Sequence, residues 1–494
     1  MKTTLLSIRN RSTNVRRFPN PVRLLILAVG HALARVGLVS SERVRRTTDL
    51  AWPRIVTGLA RMSKNAVDVA MVGLAVGPVA IAGIGFASPY WGVAFSLGGG
   101  LAGGTIALVS QRFGAEAYDD LALAVRASAL VVLAVSLPVA AAFLLAPVRL
   151  ISVMTDDPRA IELGATYLRI LSVGVPFAAL NLVGSRIYIG ADDSWTPMIV
   201  RGGGALANIV LSGVLIFGFG MGVTGAAVGT VLSNVLVTGT FLAGLVAGRL
   251  PGLGDLPVQV SPAGTYYDRE TVADLVRIGL PVVGRNGVWT VAKFPMLAIV
   301  GLFGPSVVAA YVIARRIWGL MNTPGWGFGL ASSSLVGQEL GEGNELEAEA
   351  YARDIVAFSV ATYVVAAILV GLFAEPIVGL FVGESGDATI PVAVALVYAA
   401  CVAAVAQGVK SATAGPLDAS GDTRWTFYSQ LLGMFGVAIP VAYLGATTSL
   451  GLVGLYLSFV AETTIPALIN YHRFATGKWK AISREFRPGA SADD

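Results

Sequence analysis

The chain repeats itself. Shifted by 227 residues, the separation of Gln111 and Gln338 (338 − 111), the apolar stretch Gly77 to Gly114 falls on Gly304 to Gly341. Identical pairs include Gly77-Pro78 with Gly304-Pro305, Trp91-Gly92 with Trp318-Gly319, Gly98 with Gly325 and Gly114 with Gly341. Chance would supply roughly three matches over such a window. Further along, Asp193 pairs with Asp422, Gly222 with Gly451 and Gly225 with Gly454, now at an offset of 229, so two residues added between the windows account for the drift. Both copies are apolar, and an old duplication of a membrane-spanning unit explains them.

The composition sets the same limit. At 494 residues, 55% hydrophobic, 13% charged and a mean hydropathy of +0.72, the chain has too little polar material to coat a soluble globule. Apolar runs of spanning length fall at 53–74, 81–109, 121–145, 161–187, 197–219 and 223–247, and again at 271–302, 307–337, 351–373, 391–414, 425–444 and 452–471. The fold expected is an all-α polytopic membrane protein of about twelve transmembrane helices, in two six-helix lobes. Six spans return the chain to the side it left, so the repeat is parallel, with its axis along the membrane normal. The expected organisation is a basic cytoplasmic segment 1–50, an N-lobe 51–247, a linker 248–270, a C-lobe 271–472 and a cytoplasmic tail 473–494, basic then acidic. Within the first segment, Arg23, His31 and Arg35 interrupt the apolar run 21–38, which points to a helix lying in the membrane interface.

Lys and Arg gather before the first span, in the linker and after the last span, which places both termini and the linker in the cytoplasm. The same asymmetry, facing anionic lipid in a cell membrane, explains the pI of about 9.3 without a nucleic-acid partner. Cys401 is the single cysteine, and with only His31 and His472 it cannot assemble a zinc site, so neither a metal nor a cofactor is expected.

Charges inside apolar runs mark function by default. Asp68 has two readings: a group that loads and unloads a cation or proton, or an i,i+4 ion pair with Lys64. Asn208 and Ser212 stand one turn apart and share a face, either to help Asp68 hold a cation or to bond a neighbouring helix. In the second half Asp68 falls on Pro295, and the spans carry Arg285, Lys293, Arg315, Arg316 and Lys410. These bases are structural ion pairs and snorkelling groups, or the wall of a substrate cavity; Glu462 is the acid placed to pair with one of them. The glycine run 98–104 reads as a close helix contact, since no strand precedes it and no Lys-Ser/Thr follows. Pro324, among Gly325, Gly327 and Gly329, predicts a kink.

The run Asn65-Ala-Val-Asp-Val-Ala-Met-Val-Gly73, the ending Val109-Ser-Gln-Arg-Phe-Gly114, and the segments 190–198, 208–218 and 222–233 together resemble the multidrug and toxic compound extrusion (MATE) family. The resemblance covers roughly Trp52 to Tyr471 and is to the NorM and DinF type, within the superfamily of multidrug, oligosaccharidyl-lipid and polysaccharide flippases. It implies an antiporter, not an enzyme, that exports a small organic solute by alternating access of a central cavity, driven by inward H⁺ or Na⁺. It also implies a cation site at the positions of Asp68, Asn208, Ser212 and Thr230, with Ser212 departing from the usual Asp, and a gating helix hinged at Pro324. A NorM-type carboxylate is expected on the seventh span, where Trp289 stands. The substrate-cavity candidates are Arg285, Lys293, Arg315 and Arg316, and a monomer in the bilayer is expected. The alternative is a flippase for lipid-linked oligosaccharide, which tends to have about fourteen spans. An intramembrane enzyme would need paired catalytic groups at depth, and Asp68 has no second acid opposite it.

Overall fold

A computed structural model describes residues 20–379 and 389–486. The basic stretch before residue 20, the tail beyond 486 and the segment 380–388 lie outside the described residues.

Helix α1, Pro21–Arg35, is capped by Asn20, whose side chain accepts from the Val22 N–H at 2.9 Å. Its 15 residues reach about 22 Å, short of a bilayer core. The long helices follow: α2 Ser41–Val76, α3 Pro78–Gly114, α4 Tyr118–Leu145, then a short α5 Pro147–Ser152 and α6 Pro158–Gly190. Next are α7 Trp195–Gly213, which runs on into a π-helical segment Val214–Gly218, and α8 Gly222–Ala247. A small antiparallel hairpin, β1 Arg249–Leu250 and β2 Gly254–Asp255, occupies the linker.

The second half begins with α9 Arg269–Gly301, capped by Asp268, whose carboxylate accepts from the Thr271 N–H at 2.8 Å. The bonds from Thr271 hold that carboxyl below its ordinary range. Then come α10 Pro305–Met321, α11 Thr323–Gly341, α12 Glu345–Leu372, α13 Ala374–Gly379 and α14 Thr389–Ala419. The chain closes with α15 Thr423–Leu431, a second π segment Leu432–Ala438, α16 Ile439–Thr447, α17 Leu452–Ala475 and α18 Lys478–Arg484.

Among the described residues, nine helices are long and apolar enough to cross a membrane. The exceptions inside the expected runs are α2, α9 and the α10–α11 pair, and each carries charges at depth: Arg61, Lys64 and Asp68; Arg285 and Lys293; Arg315 and Arg316. The chain is an all-α polytopic membrane protein.

The duplication is written into the turns. Positive φ recurs at Gly77 (103°) and Gly304 (97°), and at Gly222 (53°) and Gly451 (54°). It recurs again at Glu116 and Gly343, and at Asp192 and Gly421, at the two offsets read from the sequence. At the last two sites the second half uses glycine, which adopts this conformation without the Cβ penalty that Glu116 and Asp192 carry.

The chain divides into two compact units. The first holds Val56–Phe113 and Ala117–Val283; the second holds the described residues up to Ile55, Gly114–Glu116 and Gly284 onward. The division thus falls inside α2 and α9 rather than in the linker. Within the first unit, α3 and the start of α9 pack backbone to backbone. A Cβ on Gly100 would come within 2.5 Å of Val283 N, and one on Gly104 within 2.7 Å of Leu275 O, so the glycine run is a helix contact. In the second unit the polar start of α2 is tied to α12: Arg43 pairs with Glu347 at 2.8 Å and with Asp354 at 2.9 Å. From the far end of the chain, α18 ties to the same turns through Lys480 to Glu349 (2.6 Å) and Arg484 to Glu345 (2.8 Å).

The run expected as a single eighth span is interrupted at Asn322, where α10 ends and α11 begins. Pro324 sits in the first turn of the new helix, where its missing N–H leaves no gap in the ladder. The buried phenol of Tyr363 on α12 bridges the break. It accepts from the Gly325 N–H at 2.7 Å and donates to the Asn322 carbonyl at 3.4 Å.

Candidate functional site

Asp68 lies in the last third of α2 and is 9% exposed. Lys64, one turn earlier on the same face, holds its Nζ 3.0 Å from Oδ2 of Asp68. The ion pair read as one alternative from the spacing is therefore formed. From α7, the fully enclosed Asn208 brings its amide to the same carboxylate. With the nitrogen facing Asp68, Nδ2 donates to Oδ1 at 2.9 Å and to Oδ2 at 3.1 Å. The amide oxygen then accepts from the Thr230 hydroxyl at 3.1 Å and the Thr230 N–H at 3.2 Å. The opposite orientation would press an amide oxygen against a carboxylate, so hydrogen bonding chooses the first.

Thr230 on α8 is held in turn by its neighbours: its carbonyl accepts from the Ser233 hydroxyl at 2.9 Å and from Asn234 at 2.8 Å. Asp68, Asn208 and Thr230 thus form one chain of contacts across three helices. Ser212 does not join it through any hydrogen bond. Its buried hydroxyl has no partner among the described residues and packs against Gly229, where a Cβ would come within 2.4 Å of Oγ. Just beyond Ser212, α7 loosens into its π segment, a feature that often accompanies functional sites. Tyr167 on α6 is a member that sequence reasoning missed. Its phenol lies near Asp68 and Thr230. Nothing in its local sequence distinguishes it from an ordinary core tyrosine.

The bases of the second unit fall into two groups. Arg285 is engaged by Asp418 through two bonds at 3.1 and 3.0 Å. Arg315 is engaged by Glu462 at 2.5 and 2.6 Å, with Tyr311 accepting from its Nε at 2.8 Å. The ring of Phe459 covers that guanidinium, 4.3 Å from ring centre to Cζ. Lys293 and Arg315 approach Trp289 at 5.8 and 5.9 Å, so an aromatic face stands where a NorM-type carboxylate was expected. Arg316 is exposed. Two of the four cavity candidates are therefore already matched by acids of their own unit.

Known proteins agree with this architecture. The MatE family model matches residues 53–214 and 281–444, one match in each half. The chain is 28% identical over 445 residues to a probable multidrug resistance protein NorM of Bradyrhizobium diazoefficiens, covering 87% of this chain and 92% of that protein. It is 27% identical over 469 residues to the multidrug resistance protein PmpM of Pseudomonas aeruginosa, covering 91% and 95%. Among solved structures, an outward-facing multidrug resistance MATE family transporter of the MOP superfamily shares the fold, with a TM-score of 0.81 at 23% identity over 89% of this chain and 96% of that one. The duplicated all-α fold and a family model that accounts for most of both halves make the chain a membrane transporter, not an enzyme, and a member of the MatE family.

Proposed function

We propose that this transporter is a secondary active antiporter that exports small organic solutes across the cell membrane, driven by inward protons, with Asp68 as the group that takes up and releases the proton. The observation that carries this reading is the Lys64 ammonium 3.0 Å from the Asp68 carboxylate. A sodium ion at that carboxylate would have to displace an ammonium already there. It would also meet the N–H side of Asn208 rather than its oxygen. A proton needs neither change: it neutralises the carboxylate, weakens the hold on Lys64 and on the Asn208 amide, and so loosens α2 from α7. Binding on one side of the membrane and release on the other would couple that loosening to alternating access.

The relatives named for multidrug resistance support organic solutes and outward transport. The distribution of Lys and Arg supports cytoplasmic termini, and a monomer is sufficient, since the Asp68 cluster is complete within one chain. Lipid-linked oligosaccharide export is the lesser reading, because α1 is too short to add a span to the expected twelve.

The test is transport of a panel of fluorescent organic solutes by vesicles carrying the purified protein, under an imposed pH or Na⁺ gradient. A pH gradient should drive transport by the wild type and not by Asp68→Asn, and a Na⁺ gradient should drive neither. Equal proton-driven transport by the two proteins, or transport driven by Na⁺ alone, would overturn the reading.

A further inference from the structure

Three helices of the second unit meet in the last third of α14, and polar side chains stand where they meet. The hydroxyl of Thr463 on α17 donates to the Ala403 carbonyl on α14 at 3.2 Å. As the tenth and twelfth spans, these helices run the same way, so two turns further on the same faces come together again. Lys410 and Asn470 stand there, each seven residues on. Helix α15 with its π extension runs against α17. A Cβ on Gly433 would come within 2.6 Å of the Pro466 ring, and at the other end Trp425 lies 5.1 Å from the Arg473 guanidinium. Gln430 and Asn470 fall between those two contacts. The Thr426 hydroxyl reaches Asp418 at 3.3 Å, which sets Gln430, one turn on, opposite Ala414 and within a turn of Lys410.

These side chains have nothing to bond among the described residues. Both amide atoms of Gln430 and the amide oxygen of Asn470 are buried without a partner, in residues 1% and 2% exposed. The Lys410 ammonium makes no hydrogen bond or ion pair there. The acids carried by α14 and α17 are engaged by other bases: Asp418 holds Arg285 through both oxygens, and Glu462 holds Arg315 the same way. One positive charge is left over. An ammonium and two amides without partners are costly among spans, and a hydrogen-bonded negative guest answers all three. The ammonium has three donors, enough for both amide oxygens and the guest, and each amide nitrogen has N–H groups to turn toward it. Space reaches Lys410 and Ala414, both half-buried, and ends at the enclosed amides. It suits a small ion rather than the body of an organic solute.

We propose that Lys410, Gln430 and Asn470 form a binding site for a small monovalent inorganic anion of the chloride type, which supplies the missing counter-charge of the second unit. The ammonium holds the ion and the two amides orient around it. The site is separate from the Asp68 cluster and does not depend on the exporter reading.

The test is thermal unfolding of the purified full-length protein in detergent, in sodium chloride and in sodium gluconate of equal concentration, so that Na⁺ and ionic strength are matched. Chloride should raise the wild-type unfolding temperature above that in gluconate by about 2 °C or more. Lys410→Met should lose that difference, whatever its own stability, and Gln430→Leu should reduce it. Lys410→Arg should keep part of it, because the charge returns with a different shape. A general salt effect would act on every variant alike. If Lys410→Met does not fold, wild-type crystals grown with bromide carry the test, with an anomalous peak expected between the Lys410 ammonium and the amides of Gln430 and Asn470. A wild type that unfolds alike in the two salts, a folded Lys410→Met that keeps the full difference, or crystals with water alone among the three side chains would overturn the site.

Discussion

Asp68 in the first unit and Glu462 in the second are both carboxylates buried among the spans, and they are held differently. In the first, Asp68 meets a single ammonium from its own helix and one amide from α7, with 12% of the Asp68 side chain and 17% of Lys64 still exposed. In the second, the Glu462 side chain is wholly enclosed, and Arg315 grips both of its oxygens beneath the rings of Tyr311 and Phe459. At the repeat offset of 229, Glu462 takes the place of Ser233, the hydroxyl that supports Thr230. The acid thus stands on the first span of one half and the last span of the other. An arginine keeps its proton under all ordinary conditions and binds a carboxylate by two parallel bonds, whereas a lysine is a point charge on a flexible stem. The first pair is built to open and the second to hold.

That contrast makes Glu462 the more costly residue to alter. Glu462→Gln should destabilise the protein by about 3–5 kcal/mol, because it leaves Arg315 buried without its counter-charge. Thermal unfolding in detergent would show it, and a paired Glu462→Leu, Arg315→Met variant should recover much of the loss. If Glu462→Gln unfolds like the wild type, the second pair is no clamp and the comparison fails.

Lys64 sharpens the other side. Lys64→Gln removes the built-in cation, so Na⁺ should gain entry beside Asp68 and begin to drive transport, with unfolding changed by about 1 kcal/mol or less, as for a partly exposed pair. Transport that ignores Na⁺ in this variant would show that the ammonium is not what excludes it.

A second difference between the units lies in an interrupted helix. Helix α3 runs unbroken through the stretch equivalent to the interruption between α10 and α11. Tyr363→Phe deprives the Gly325 N–H of its partner and should cost about 1–3 kcal/mol. Pro324→Ala should slow transport without impairing insertion if the break acts as a hinge. Wild-type transport rates in Pro324→Ala would leave the interruption a matter of packing alone.

The most local effect belongs to the cap of α9. Asp268→Ala should cost about 1 kcal/mol. Since the folded carboxyl is held below its ordinary range, its contribution is present at neutral pH and is lost as pH falls through that lowered value. Unfolding measured against pH should therefore bring wild type and variant together only in acid; a gap that widens there would contradict the cap.

Much of this was legible in the chain. The duplication read from paired residues extends to the backbone, where Gly77 with Gly304 and Gly222 with Gly451 share φ to within a few degrees. Asp68 stood out because a charge in an apolar run is expensive, and Lys64 because helical spacing alone sets it beside Asp68. What could not be read was which face each helix turns inward. Ser212 shares a face with Asn208, yet its hydroxyl packs against Gly229 and makes no hydrogen bond among the described residues. Tyr363 and Tyr167 were invisible for the same reason, since a buried phenol gives no sequence signal until its partners are known.

The central claim is that Asp68 exchanges a proton while Glu462 does not. Infrared difference spectra of the protein, recorded as pH is lowered in the presence and absence of Na⁺, test it most directly. A protonated-carboxyl band that appears reversibly with acid in the wild type, vanishes in Asp68→Asn and ignores Na⁺ is the result expected. The same band persisting in Asp68→Asn, or suppressed by Na⁺ in the wild type, would contradict the account.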